Sequence, residues 1–161
     1  MVLMLSPKET KLRFRWMLDK DRDRVLEIER EVFRYPYSSE EFDDLLATGR
    51  LRGATALVAE LDSIVVGYFI YHTVSETIEI ISIAIDNDNK RRGIGSQFIN
   101  RMIEAKRGID IRYFEVRCAE VNLDSQLFFS AMGFKAVAVL PNFYGDDMSA
   151  YLFEYKIEYQ E

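Results

Sequence analysis

The sequence predicts one α/β domain, and three stretches carry that expectation. Apolar runs with the two-residue period of strands follow one another from Ala54 to Ile85. Further on, helical patterns at Gly93 to Lys106 and Asn122 to Met132 alternate with strand-like runs at Ile111 to Cys118 and Phe134 to Leu140. Between the two regions lies Ile83-Ala84-Ile85-Asp86-Asn87-Asp88-Asn89-Lys90-Arg91-Arg92-Gly93-Ile94-Gly95-Ser96, where a strand ends, a polar turn follows and a helix begins on two glycines.

In chain order, Leu12 to Leu18 alternates Leu12, Phe14, Trp16 and Leu18 against Arg13, Arg15 and Met17, the pattern of a half-buried strand. Asp19 is placed to cap a helix through Phe33, along which Val25, Leu26, Ile28, Glu29 and Val32 recur at helical spacing. Pro36, within Phe33-Arg34-Tyr35-Pro36-Tyr37, stops any continuation. Ser38-Ser39-Glu40-Glu41 reads as a capping box, opening a second helix with Phe42, Leu45 and Leu46 that ends near Gly49. Ala54 to Leu61 and Ile64 to Thr73, joined by Asp62-Ser63, form a hairpin, and Thr77 to Ile85 is a further strand. The helix from Gly93 buries Ile94, Phe98, Ile99, Met102 and Ile103 and closes at Gly108. The strand after it puts Ile111, Tyr113, Glu115 and Arg117 on one face and Arg112, Phe114, Val116 and Cys118 on the other. Met148 to Tyr159 is the last strand, after the loop Pro141 to Asp147. Residues 1–11 are expected to be a flexible start, and 12–161 a single domain.

Composition narrows the function. A formal charge of −6 argues against general nucleic-acid binding, which draws on a basic face. The single cysteine excludes an internal disulfide framework and fits a reducing compartment, so a cytoplasmic location is expected. No apolar run approaches the roughly 20 residues that span a bilayer, and no membrane partner is expected. His72, the only histidine, and Cys118 read as structural residues, and no metal-ligand pattern is present.

The strand–turn–helix stretch is where chemistry is expected. Free amides of a first helical turn, at the positive end of its dipole, make an anion site, and Lys90, Arg91 and Arg92 add charge there. A basic surface turn gives the same pattern. There is no G-x-x-x-x-G-K-[ST], and only two glycines stand where a dinucleotide fingerprint has three.

Lys90-Arg91-Arg92-Gly93-Ile94-Gly95 resembles the [QR]-x-x-G-x-[GA] acetyl-coenzyme A motif of the GNAT acetyltransferases. Asn122-Leu123-Asp124-Ser125-Gln126-Leu127-Phe128-Phe129-Ser130-Ala131-Met132-Gly133-Phe134 is similar to that family's N-x(6)-Y-x(3)-G-F motif. Tyr35-Pro36-Tyr37-Ser38 and the tail Asn142 to Tyr151 resemble the N-terminal-amine acetyltransferases, in particular the bacterial ribosomal-protein alanine N-acetyltransferase group. The likeness runs from Leu12 to Ile157. It implies a mixed, mostly antiparallel, splayed sheet of about seven strands flanked by about four helices, with acetyl-coenzyme A as cosubstrate in the splay and no metal. By the same resemblance, strand residues Ile83, Ala84 and Ile85 hold the pantetheine arm, and the amides of Arg91, Arg92, Gly93, Ile94, Gly95 and Ser96 take the pyrophosphate. Asn122 and Phe129 lie at the pantetheine or thiol end, and Tyr35, Tyr37 and Tyr144 wall a slot for the acceptor. The implied reaction is acetyl transfer to a primary amine, with the N-terminal α-amine of a protein or peptide as the leading acceptor. A small-molecule amine, or a catalytically weak coenzyme A-binding module, is the alternative.

Such transfer needs a proton acceptor for the amine, an oxyanion donor and a proton for the leaving thiolate. Glu115, in Phe114-Glu115-Val116-Arg117, matches the family's position for the base. Two residues more than the family pattern separate it from Asn122, so counting back from Asn122 places Arg117 there instead; Glu120 or a water are further candidates. A two-residue shift preserves strand phase, so both alignments leave a polar side chain on one face. Phe129 stands where the family has the tyrosine assigned to the leaving thiolate, and a phenyl ring donates no proton. Either Tyr144 or a water then takes that role, or the thiolate leaves unassisted, or the chain is not an active catalyst of the usual kind. Phe143 likewise replaces the first tyrosine of the tail pair.

Overall fold

The computed structural model describes residues 11–47 and 54–159. The expected flexible start, apart from Lys11, and the expected end of the second helix near Gly49 lie outside them. Seven strands form one sheet in the order β1-β2-β3-β4-β5-β7-β6. They are β1 (Leu12–Trp16), β2 (Thr55–Leu61), β3 (Ile64–Val74), β4 (Thr77–Ile85), β5 (Tyr113–Ala119), β6 (Lys135–Leu140) and β7 (Ala150–Lys156). Only β4 and β5 run parallel; every other neighbouring pair is antiparallel. Among the described residues four α-helices flank the sheet: α1 (Arg22–Val32), α2 (Ser39–Ala47), α3 (Ile94–Lys106) and α4 (Leu123–Ala131). None of them is long and apolar enough to cross a membrane.

Local chemistry sets the boundaries. β1 ends at Trp16 rather than Leu18, and Trp16 and Leu18 are 64% and 50% exposed. Asp21 causes this: its carboxylate accepts from the Leu18 amide at 2.8 Å and grips the Arg15 guanidinium at 2.7 and 3.0 Å. A short 3-10 turn, Asp19–Asp21, therefore precedes α1, and Asp19 is not its cap. The Ser38 capping box forms as the sequence predicts, with Glu41 N to Ser38 Oγ at 3.1 Å and Ser38 N to Glu41 Oε2 at 2.7 Å. Asp62 and Ser63 both take positive φ, the turn that matches the twist of a hairpin. Gly67 is required by close approach, because a Cβ there would sit 2.8 Å from the Ala84 carbonyl oxygen.

Each face of the sheet carries its own core. α1 and α2 bury Val25, Leu26, Ile28 and Phe42 against Val58, Tyr68, Ile70 and Ala84. On the other face α3 and α4 bury Phe98, Ile99, Met102 and Phe129 against Phe69, Ile78, Ile80, Phe114 and Val116. β4 belongs to both. Ile70 pairs with Ser82 but Tyr71 pairs with Ile80, so Ile81 is one residue too many for the ladder. Beyond this bulge the faces exchange: Ile78 and Ile80 pack toward α3, Ala84 packs toward α1, and Ile83 and Ile85 turn to the α3 side. The uniform alternation of buried and half-buried positions along β4 conceals the exchange.

Candidate active site

The bulge opens the sheet. β4 and β5 pair only from Thr77↔Tyr113 to Ile80↔Val116; past Ile80 the strands diverge. A cleft of about 460 Å³ occupies the divergence. Ligand sites in open α/β sheets form beyond strand carboxyl ends where neighbours part, and this is such a place. Ile83, Ala84 and Ile85 form one wall; Lys90, Arg91, Gly93, Ile94, Gly95 and Ser96 form the rim; Asn122, Phe128 and Phe129 close the far side. Val32 and Phe33, at the end of α1, together with Asn89, Asp124 and Ser125, complete the lining. The structure thus brings together every residue that the sequence assigns to the cosubstrate except Arg92, which is exposed outside the lining.

The rim is built for an anion. Arg91 and Gly93 adopt φ of +61° and +76°, which turns successive amides inward. The first bond within α3 runs from Gln97 N to Gly93 O at 3.0 Å, so the amides of Ile94, Gly95 and Ser96 have no partner inside the helix. A Cβ on Gly95 would come within 3.4 Å of the Phe128 ring, so its absence keeps the floor open. Unpartnered amides, a helix N-terminus and adjacent cations suit a diphosphate. Behind the rim, Asp86 is 4% exposed; it accepts from Asn89 N and Nδ2 at 2.9 and 2.7 Å and from Arg24 Nη2 at 2.7 Å. Arg24 and Asp86 pin the rim to α1 and carried no motif in the sequence.

Asn122 caps α4, its Oδ1 accepting from Ser125 N at 3.1 Å, which leaves the Nδ2 group to meet a ligand. Phe129 is 2% exposed and meets Phe128 and Phe134 edge-on, with ring centroids 5.0 and 5.1 Å apart. It is a shape-filling wall that carries no proton.

On the α1/α2 face Tyr37 packs against the core and lies near Tyr144; neither lines the cleft itself. The Tyr144 hydroxyl donates to the Arg117 carbonyl oxygen at 3.2 Å. Burial pushes the Tyr144 hydroxyl above its ordinary pKa, and nearby Cys118 and Tyr37 add to the effect. Tyr35 is 71% exposed beneath the Arg34 guanidinium and lines no part of the cleft. Burial holds the Cys118 thiol up at about 12, which makes it a buried apolar group in practice.

Glu115 has the phase the sequence predicts but lies in the still-paired part of β5, opposite Glu79 and one residue before the last β4–β5 pair. It belongs to a cross-strand row in which His72 pairs with Glu79, Glu79 with Glu115 and Glu115 with Glu154. Desolvation raises its pKa, and Glu154 and Glu79 raise it further. His72 Nε2 lies 2.6 Å from Glu79, and Arg117 lies 3.6 Å from the same carboxylate. β5 runs on to Ala119 past the last pair with β4, so Arg117 stands at the mouth of the splay. Glu120 is exposed, its carboxylate accepting from Ser149 N at 2.9 Å.

Comparison with known proteins agrees with this geometry. The family model described as "Acetyltransferase (GNAT) family" matches residues 22–134. An uncharacterized N-acetyltransferase of Methanocaldococcus jannaschii is 30% identical over 134 residues, covering 83% of this chain and 84% of that protein. Among solved structures, Ard1 from Thermoplasma volcanium superposes with a TM-score of 0.80 at 21% identity, covering 92% of this chain and 99% of that one. The ribosomal-protein-S18-alanine N-acetyltransferase from Escherichia coli superposes with a TM-score of 0.78 at 16% identity, covering 94% and 97%. At these identities the structural likeness speaks for the fold, and the family match with the M. jannaschii relative speaks for descent. The chain belongs to the GNAT family of acetyltransferases.

Proposed function

We propose that the cleft binds acetyl-coenzyme A and that the protein acetylates the N-terminal α-amine of a protein or peptide approaching from the α1/α2 face. The observation that carries this reading is the coincidence of a glycine-rich amide rim with a one-residue bulge that frees the β4 backbone beside it. In this assignment the rim amides and Lys90 and Arg91 hold the diphosphate. The Ile83 and Ile85 backbones, past the last β4–β5 pair, bond the pantetheine arm as an added strand would. Acetyl-coenzyme A supplies an activated acetyl thioester. Tyr37 and Tyr144 confine the acceptor beside it. An α-amine titrates near 8, so much of it is already neutral close to pH 7 to 8 and needs only modest help. Glu115 takes the amine proton through water, and the Tyr144 hydroxyl provides the proton that Phe129 cannot.

The aromatic walls support a peptide acceptor, as does the likeness to an enzyme named for a ribosomal-protein alanine. The test is incubation with labelled acetyl-coenzyme A and a panel of peptides with free and blocked N-termini, beside a diamine and an aminoglycoside. Acetyl found by mass spectrometry on the α-amine of free peptides alone is the expected result. Label on the small amines alone overturns the acceptor assignment, and cosubstrate binding without transfer overturns the enzymatic one.

A further inference from the structure

Glu29 lies on α1 in the middle of the apolar stripe, 2% exposed, and among the described residues no Lys or Arg bonds to it. One carboxylate oxygen accepts from the Tyr37 amide at 3.0 Å; the other takes the Tyr68 hydroxyl, which in turn lies 3.0 Å from Ser82 Oγ. Each end of this chain of bonds is informative. Tyr37 is the wall of the acceptor slot and sits in the segment between α1 and α2, past Pro36, where no helix fixes the backbone. Ser82 directly follows Ile81, the bulged residue that opens the cleft. Burying a carboxylate costs several kcal/mol in general, and an apolar side chain there would fill the same space without that cost.

We propose that Glu29 is a positioning residue for the acceptor: it fixes the Tyr37 wall to the bulged segment of β4, so that the slot keeps its width relative to the acetyl group. The amide of Tyr37 has the Glu29 carboxylate as its acceptor, so the wall is held at its backbone, independently of the side chain. Tyr68 carries the restraint across to β4. The proposal rests on the preceding reading only in taking the space beside Tyr37 as the acceptor's.

The test compares Glu29→Gln with Glu29→Leu. Gln keeps a carbonyl oxygen for the Tyr37 amide, and its amide nitrogen donates to Tyr68, which then donates to Ser82. Leu fills the space and removes both bonds. Glu29→Leu is expected to speed hydrogen exchange at the Tyr37 amide at least tenfold. It should also raise the acceptor KM at least tenfold, with the acetyl-coenzyme A Kd held within threefold, while Glu29→Gln stays near wild type in all three. Tyr68→Phe, which keeps the bond to Tyr37 and cuts the one to Ser82, should raise the acceptor KM by a smaller factor, about threefold. An unchanged acceptor KM in Glu29→Leu despite faster exchange overturns the inference, as does an equal loss of cosubstrate affinity, which marks a general packing role. If the wild type transfers acetyl to a diamine and no peptide, the α-amine reading fails while the same comparison, read with the diamine, still decides this one.

Discussion

The Tyr144 hydroxyl donates to the main-chain oxygen of Arg117 at 3.2 Å. The Tyr113 amide bonds to Glu76 O, on the β4 side, and the two-residue period turns the Arg117 carbonyl to that same edge, into the gap left by the departing β4. The tyrosine therefore spans the open edge of β5 from the loop between β6 and β7. Tyr144→Phe is expected to lower kcat at least tenfold with the acetyl-coenzyme A Kd unchanged, by steady-state kinetics and calorimetry. Recovery on adding Phe129→Tyr would confirm that the missing hydroxyl, and not the loop, is what was lost.

Gly95 keeps the floor of the rim clear of side-chain atoms. Gly95→Val places three carbons toward Phe128 and over the free amides. Calorimetry should show acetyl-coenzyme A affinity falling at least tenfold, with the thermal midpoint of the unliganded protein little changed.

Asp86 is buried and engaged by Arg24 and Asn89 together. Asp86→Ala removes the carboxylate shared by Asn89 and Arg24 Nη2, leaving Asn89 N its bond to the residue 86 main-chain oxygen and Arg24 its bonds to Val65 O and Glu27, and loss of such charge-assisted bonds costs about 2 kcal/mol. Urea unfolding should show that loss. Because the turn sets the direction of the rim, cosubstrate affinity should fall with it.

Burial raises the pKa of the Glu115 carboxyl most, and Glu154 on one neighbouring strand and Glu79 on the other add their repulsion. The Glu115 carboxyl should titrate above the ordinary glutamate range in a carbon-13 NMR experiment. Glu154→Gln removes one negative neighbour and should move that midpoint to lower pH. Unchanged titration in the variant would mean that desolvation alone sets it.

Burial likewise raises the pKa of Glu29. For an acid whose folded pKa exceeds its unfolded value, the folded state holds more protons between the two, so stability falls as pH rises through that window. Wild type should therefore lose stability relative to Glu29→Gln as pH climbs past the usual glutamate range. The difference should level off above the folded pKa. Paired denaturant curves across pH measure it, and the many carboxylates common to both proteins cancel.

Features set by near neighbours in the chain were legible in the sequence. Ser38 and Glu41, Asn122 with its helix, and Gly93 each act within a turn of themselves, so residue type and spacing reveal them. The face of Glu115 and Arg117 was legible for the same reason, since strand phase is local. What β4 does was only half legible: its apolar phase shifts where Ile80 and Ile81 stand side by side, but Ala84 keeps both faces apolar beyond that point, so the extra residue reads as part of a fully buried strand. Nor does any local signal place β7 between β5 and β6. Glu29 had one visible mark, a charge at a position where helical spacing calls for an apolar residue, and Asp86 had none beyond its place at the end of a strand. Both work through partners dozens of residues away, Tyr68 and Arg24.

The bulge at Ile81 has a consequence for how this cleft tolerates change. The opening is written in the count of residues between two stretches of hydrogen-bonded ladder, not in the identity of the side chains there. Substitution along β4 alters the lining and leaves the gap, in keeping with a shared architecture at 16% to 21% identity. Deleting the single codon for Ile81 would restore the count, leaving Ile83 and Ile85 opposite Phe69 and Gly67 on the face they now occupy, and would remove the extra residue beside which β4 and β5 part.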